Sequence, residues 1–297
     1  MKILSARAHL GFAPPQQRRS ATRSLVSTIL VALIWALSIQ WSAAGAASTP
    51  SSVTLVNLNG QFPVGTPDAT EPSGQAPPSA TALVGYTLSY ENDFVGTSVP
   101  AGWDIFTGIP GSDPGGHFGI SHVVVNDGLL ELNTYRDRAW HNRWVTGGIC
   151  QCGLPIRYGA IFVRSRINRP GPNEAELLWP AGKVWPPEID FNETGGSATS
   201  TTTSVHFGKA NHIVRSAVNI NMRQWHTWGV IWTPTSITYT VDGTIWGTFE
   251  VPSEISHAPM TLDFEQRQIC EEHRQCPSAP TSMQIDWVAE YTASPAT

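Results

Sequence analysis

His122-Val123-Val124-Val125-Asn126-Asp127-Gly128-Leu129-Leu130-Glu131-Leu132-Asn133-Thr134 is the stretch that decides the fold class. β-Branched apolar residues run into Asn126-Asp127-Gly128, whose members tolerate positive φ, and an apolar/polar alternation follows. It therefore reads as strand, turn, strand. The same pattern recurs downstream. Trp228, Val230 and Trp232 alternate with other residues, Ile237, Tyr239 and Val241 do so before Asp242-Gly243, and 245–251 completes a meander. No long helical stripe separates these runs, so α/β crossovers are excluded and the expected fold is all-β, a two-sheet sandwich of jelly-roll type.

The 297 residues are 41% hydrophobic, enough for a sizeable core. Only 14% are charged and the net charge is −5, so there is no basic stripe and nucleic acid is not an expected partner. Tryptophan is abundant, and Trp35 and Trp41 alone of the twelve lie in the apolar N-terminal stretch. The others are available to a core or, as flat amphipathic surfaces, to sugar rings.

Arg18, Arg19 and Arg23 precede the apolar run 25–39, and small residues including Ala44-Gly45-Ala46 follow. Residues 1–46 therefore read as an export signal, the apolar run being shorter than the roughly 20 residues of a spanning helix. The alternative is an uncleaved membrane anchor. Residues 47–82, rich in Pro, Gly, Ser and Thr, read as an exposed linker, and 83–297 as the folded domain of a secreted monomer. Four cysteines in an exported chain suggest disulfides. Cys150 and Cys152 are too close along a strand to pair comfortably with each other, Cys270 and Cys276 could close a short loop, and all three pairings stay open. The C-x-C and C-x5-C spacings do not match zinc ligands.

Chemistry concentrates in Glu188-Ile189-Asp190-Phe191-Asn192-Glu193. Alternation puts Glu188 and Asp190 on one face, and a β-bulge near Phe191 or Asn192 would return Glu193 to it. Three like charges on one face repel, so a purely structural strand rarely collects them. Glycoside hydrolysis uses such carboxylates, and a retaining enzyme needs two of them roughly 5 to 5.5 Å apart. A solvated acidic edge or a calcium site is the alternative reading. Trp179-Pro180 and Trp185-Pro186-Pro187 stand just upstream, as a polysaccharide cleft requires.

Leu178-Trp179-Pro180, Trp185-Pro186-Pro187 and the E-x-D-x-x-E run together resemble the active-site signature of family 16 glycoside hydrolases, the laminarinase and lichenase relatives. Arg157-Tyr158-Gly159 and Val163-Arg164-Ser165-Arg166 continue the likeness upstream. His226-Thr227-Trp228, Trp232-Thr233-Pro234, Val241-Asp242-Gly243 and Ile285-Asp286-Trp287-Val288 continue it downstream, so it covers residues 86–291. The resemblance implies a concanavalin A-like jelly roll, with Glu188 as nucleophile, Asp190 as helper acid and Glu193 as general acid and base. It adds His206 as a histidine facing the cleft, and Trp144, Trp179 and Trp185 are candidates for sugar contact. It also implies a calcium ion away from the cleft, on the Asp286 side chain and the carbonyls of Asp93 and Gly128, with no cofactor for catalysis. The expected activity is endo-hydrolysis of a β-1,3-glucan or mixed-linkage β-glucan. A transglycosylase or a non-catalytic sugar-binding jelly roll are the alternatives. Pro187 and Asn192 depart from the family pattern, which bears on the shape of the cleft rather than on the reacting groups.

Overall fold

A computed structural model of the chain describes residues 51–52, 62–111, 113–270 and 276–294. The chain divides into two units, Met1–Ala46 and Ala47–Thr297, and the expected export signal lies outside the described residues. No helix among the described residues is long and apolar enough to cross a membrane.

The His122–Thr134 stretch folds as read: Val123–Asn126 pairs antiparallel with Leu129–Asp137 across a turn in which Asp127 (φ 52°) and Gly128 (φ 74°) are both left-handed. Two successive positive φ values define the hairpin turn whose twist suits the flanking strands. Leu129–Asp137 belongs to a nine-stranded sheet containing, in order, Thr244–Phe249, Ile237–Val241, His226–Trp232, Gly159–Ile167, Thr281–Ala293, Leu129–Asp137 and Val123–Asn126. Tyr86–Asn92 also pairs with Thr281–Ala293, and Arg143–Val145 with Leu129–Asp137. The facing eight-stranded sheet runs Ser51–Ser52, His212–Asn219, Ser200–Phe207, Glu188–Glu193, Asn173–Pro180, Met260–Arg267, Gly148–Cys150, Asp104–Ile105.

The core lies between the sheets. Leu178, Ile189, Phe191, Leu262 and Phe264 from the acid-bearing sheet pack with Leu130, Ile161, Val163, Trp228, Val230 and Ile285 from the other. Sheet residues alternate in direction, so inward Ile189 leaves its neighbours Glu188 and Asp190 on the outer face.

A second apolar cluster sits on the far face of the nine-stranded sheet: Phe162, Ile231, Trp287, Ala289 and Tyr291, joined by Leu83, Phe62, Tyr86 and Leu88. Residues 62–82, expected as an exposed linker, strap this face instead. Thr66–Pro67 and Gln75–Ala76 form a short hairpin. The Trp287 indole donates to the Gln75 carbonyl (2.9 Å), the Tyr291 hydroxyl to that of Ser79 (2.9 Å), and Thr227 Oγ1 to that of Val64 (2.8 Å). Composition missed this because the strap is held by main-chain carbonyls, which every residue carries.

The cysteines also correct the expectation. Cys150 bonds to Cys152, with Cα atoms 5.0 Å apart, because the chain turns at once after the Gly148–Cys150 strand, Gly153 N–H donating to the Gly102 carbonyl. An extended strand would hold such residues about 6.6 Å apart. The second disulfide is the short loop Cys270–Cys276.

Candidate active site

The acid strand carries the bulge that its sequence required. Glu176 pairs with Asn192 and the next residue, Leu177, with Asp190, so Phe191 is the extra residue and the register also shifts toward the strand on the other side. Phe191 is fully buried in the core, Asp190 faces outward, and Glu193 returns to its side, opposite Ala175. Glu188, Asp190 and Glu193 thus line one floor.

Each acid meets a donor. The Trp185 indole N–H donates to Glu188 Oε2 at 2.6 Å. His206 Nε2 lies 3.4 Å from Asp190 Oδ2, and His206 Nδ1 lies 2.8 Å from Asn211 Oδ1. Asn173 Nδ2 donates to Glu193 Oε1 at 3.0 Å. Trp179 and Trp185 stack with rings 14° from parallel and centroids 6.4 Å apart, and Trp185 also leans on His206 at 5.7 Å. Trp185 keeps 42% of its surface exposed, so part of this surface is open to a ligand. Trp144 is not joined to this group: it lies on the strand paired with Leu129–Asp137, its ring covered by the Arg136 guanidinium at 4.9 Å.

Burial first, then the charge of Asp190, pushes Glu188 up to about 8, while His206 and the Trp185 N–H oppose the rise. Asp190 is raised too, by burial against the hydrogen bond from His206. For His206 burial pulls downward, but the Asp190 hydrogen bond and the charges of Asp190 and Glu188 override it and hold the imidazole above its ordinary value.

Two acids that sequence reading missed join the floor from the neighbouring strand. Asp263 stands opposite Leu177 and Glu265 opposite Ala175, so both share the face of Asp190 and Glu193. Asp263 is raised well above the carboxylate range, by burial and then by Glu265 and Glu188. Glu265 reaches about 7 through burial, although Arg267 Nε, 2.9 Å from its Oε1, draws it down. The signal was present in Thr261-Leu262-Asp263-Phe264-Glu265, where acids alternate with core residues.

On the other sheet, Asp286 is fully buried; its Oδ2 accepts from Ser73 N–H (3.1 Å) and its Oδ1 meets no donor among the described residues. Burial raises Asp286, against the hydrogen bonds from Ser73 and the charge of Arg164, and the charge of Asp93 adds to the rise. Glu71 is raised by burial and then by the charges of Asp286, Asp93 and Asp68. Pro72 would lie 3.3 Å from a Cβ on Gly128, so strap, turn and last strand converge here. An orphaned, buried carboxylate oxygen beside further carboxylates fits a hard cation.

Among known proteins, the model of the family described as glycosyl hydrolases family 16 matches residues 117–288. An endo-1,3-1,4-beta-glycanase, ExsH of Rhizobium meliloti, is 29% identical over 187 residues, which is 58% of this chain and 40% of that protein. The chain thus spans about two fifths of the length of this relative. The laminarinase of Rhodothermus marinus superposes with a TM-score of 0.63 at 19% identity, covering 70% of this chain and 98% of that one. The catalytic domain of an endo-1,3-beta-glucanase (laminarinase) from Thermotoga petrophila does so at 0.62 and 17%, covering 70% and 98%. At such identities the two structures speak for the jelly-roll sandwich alone.

Proposed function

Because the chain belongs to family 16 of the glycosyl hydrolases, we propose that it cuts a β-1,3-glucan or mixed-linkage β-glucan within the chain, with retention at the anomeric carbon. The observation that carries this reading is the bulge at Phe191, which sets Glu193 beside Glu188 and Asp190 on one floor. Glu188 attacks the anomeric carbon as Glu193 passes its proton to the leaving oxygen. Glu193 then takes a proton from water, which releases the sugar from Glu188. Attack needs Glu188 ionised, and a positive charge on His206 beside Asp190, with the Trp185 N–H, favours that form. Trp179 and Trp185 offer the stacking surface.

The floor supports an uncharged substrate. Glu188, Asp190, Glu193, Asp263 and Glu265 outnumber the cationic groups from the same sheet, His206, Arg215 and Arg267. Carboxyl groups accept hydrogen bonds from sugar hydroxyls in either protonation state, and those that ionise repel sulfate. Purified protein should therefore degrade laminarin or mixed-linkage glucan in preference to sulfated carrageenan, with agarose, uncharged as well, as the comparison that tests glucan against galactan. Glu188→Gln should abolish turnover while sugar binding persists, and Glu193→Ala with azide should give a β-glycosyl azide. Full activity in the first variant removes the nucleophile assignment, and an α-azide removes retention. Products longer than the starting oligosaccharide would turn the reading to transglycosylation.

The site at Asp286 would hold calcium through its free Oδ1, with the carbonyls of Asp93 and Gly128. There the ion would neutralise clustered carboxylates and join the end of Tyr86–Asn92 to Thr281–Ala293. The two disulfides support passage of the protein to an oxidising compartment outside the cytoplasm.

A further inference from the structure

The geometry assigns Asn173 a part in the reaction, as the residue that decides which oxygen of Glu193 carries the catalytic proton. This rests on the reading of Glu193 as acid and base. Asn173 is 2% exposed, at the start of the strand beside the acid strand. Its Oδ1 accepts the Gly195 backbone N–H at 2.7 Å, and its Nδ2 faces Glu193 Oε1 at 3.0 Å. The orientation of the amide is not free. A backbone N–H can only donate, so it must meet the oxygen; the reverse orientation would press donor against donor at Gly195 and acceptor against acceptor at Glu193. Glu193 Oε1 is therefore held by an amide hydrogen.

An oxygen already facing a donor is a poor seat for a second hydrogen, so the proton of Glu193 is confined to Oε2. That proton passes to the leaving glycosidic oxygen as the bond from that oxygen to the anomeric carbon breaks and the bond to Glu188 forms. In the second half the attacking water returns a proton to the same atom. The Asn173 donor also favours the charge left on Glu193 after the transfer. The other charged groups that bear on Glu193 are Glu188, Asp190 and Glu265, with Arg267 across from Asn173; none of them is altered in the test.

Two variants separate positioning from folding. Asn173→Ala loses both contacts, whereas Asn173→Asp keeps an acceptor for Gly195 N–H but replaces the donor to Glu193 with a second carboxyl. Both should lower kcat on glucan by about tenfold or more with KM little changed, as expected for a hydrogen bond to a charged group. The loss should shrink on aryl β-glycosides as the leaving group improves, since those need less protonation. The alkaline limb of the rate profile should move to higher pH, and further in Asn173→Asp, because a charge-stabilising donor is replaced by a like charge. Asn173→Asp should keep the parental circular-dichroism spectrum, which shows that the fold survives the change. A parental leaving-group dependence and pH profile in Asn173→Asp, or a loss uniform across all leaving groups, would overturn the assignment. If Glu193→Gln itself shows no leaving-group dependence, the role of Glu193 falls and that of Asn173 with it.

Discussion

Asp190 and His206 act on Glu188 in opposite senses, and the pH profile should show it. Asp190 adds to the rise of Glu188, so Asp190→Asn should move the acid limb of kcat/KM to lower pH. The charge of His206 opposes that rise, so His206→Gln should move the limb upward. Trp185→Phe keeps a ring but loses the 2.6 Å donor, and it too should move the limb upward. Limbs that stay put in all three variants would exclude Glu188 as the group whose ionisation starts the reaction. The three acids were legible because charge, spacing and flanking tryptophans announce themselves in sequence. Asn173 and Asn211 were not, since an unexceptional amide gains its role only from what folding places beside it.

At the scale of the strand, the reverse of the catalytic face has its own chemistry. Asn173–Pro180 turns Glu174 and Glu176 inward, fully buried, where Thr194 Oγ1 donates to Glu174 (2.7 Å) and Ser165 Oγ to Glu176. Burial pushes both from the ordinary 4.5 to about 8. In the folded protein each keeps a proton that the unfolded chain gives up near 4.5. Their contribution to stability is therefore complete below that pH and is lost as pH climbs toward 8. The parent should melt at falling temperatures from pH 5 to pH 8, and the Glu174→Gln, Glu176→Gln double variant should flatten that slope, as calorimetry would record. Equal slopes would mean that both carboxyls are ionised inside. The bulge was readable because alternation alone left Glu193 on the wrong side. The inward acids were not sought, because period-two reasoning assigns polar residues to the solvent side, and here a neutral carboxylic acid behaves as a buried polar group with partners.

For the molecule as a whole, the strap of residues 62–82 carries the largest departure from the sequence reading. A chain starting at Leu83 should lose the hydrogen bonds to Trp287 and Tyr291, expose Phe162, and melt well below one starting at Phe62. Equal melting would show the strap to be dispensable. Excess calcium should raise the melting temperature over excess chelator, and Asp286→Ala should abolish the difference. Coincident curves for the parent would remove the calcium site and leave the cleft untouched. The sheets were legible from alternation, whereas the strap bonds through atoms common to all residues. The crowded floor has one more consequence. Glu188, Asp263 and Glu265 retain protons above the usual carboxylate range, so an ammonium compound lodging there would drive them off. Amine inhibitors should gain potency as the medium becomes more alkaline, yield to added salt, and give binding heats that change with the ionisation enthalpy of the buffer.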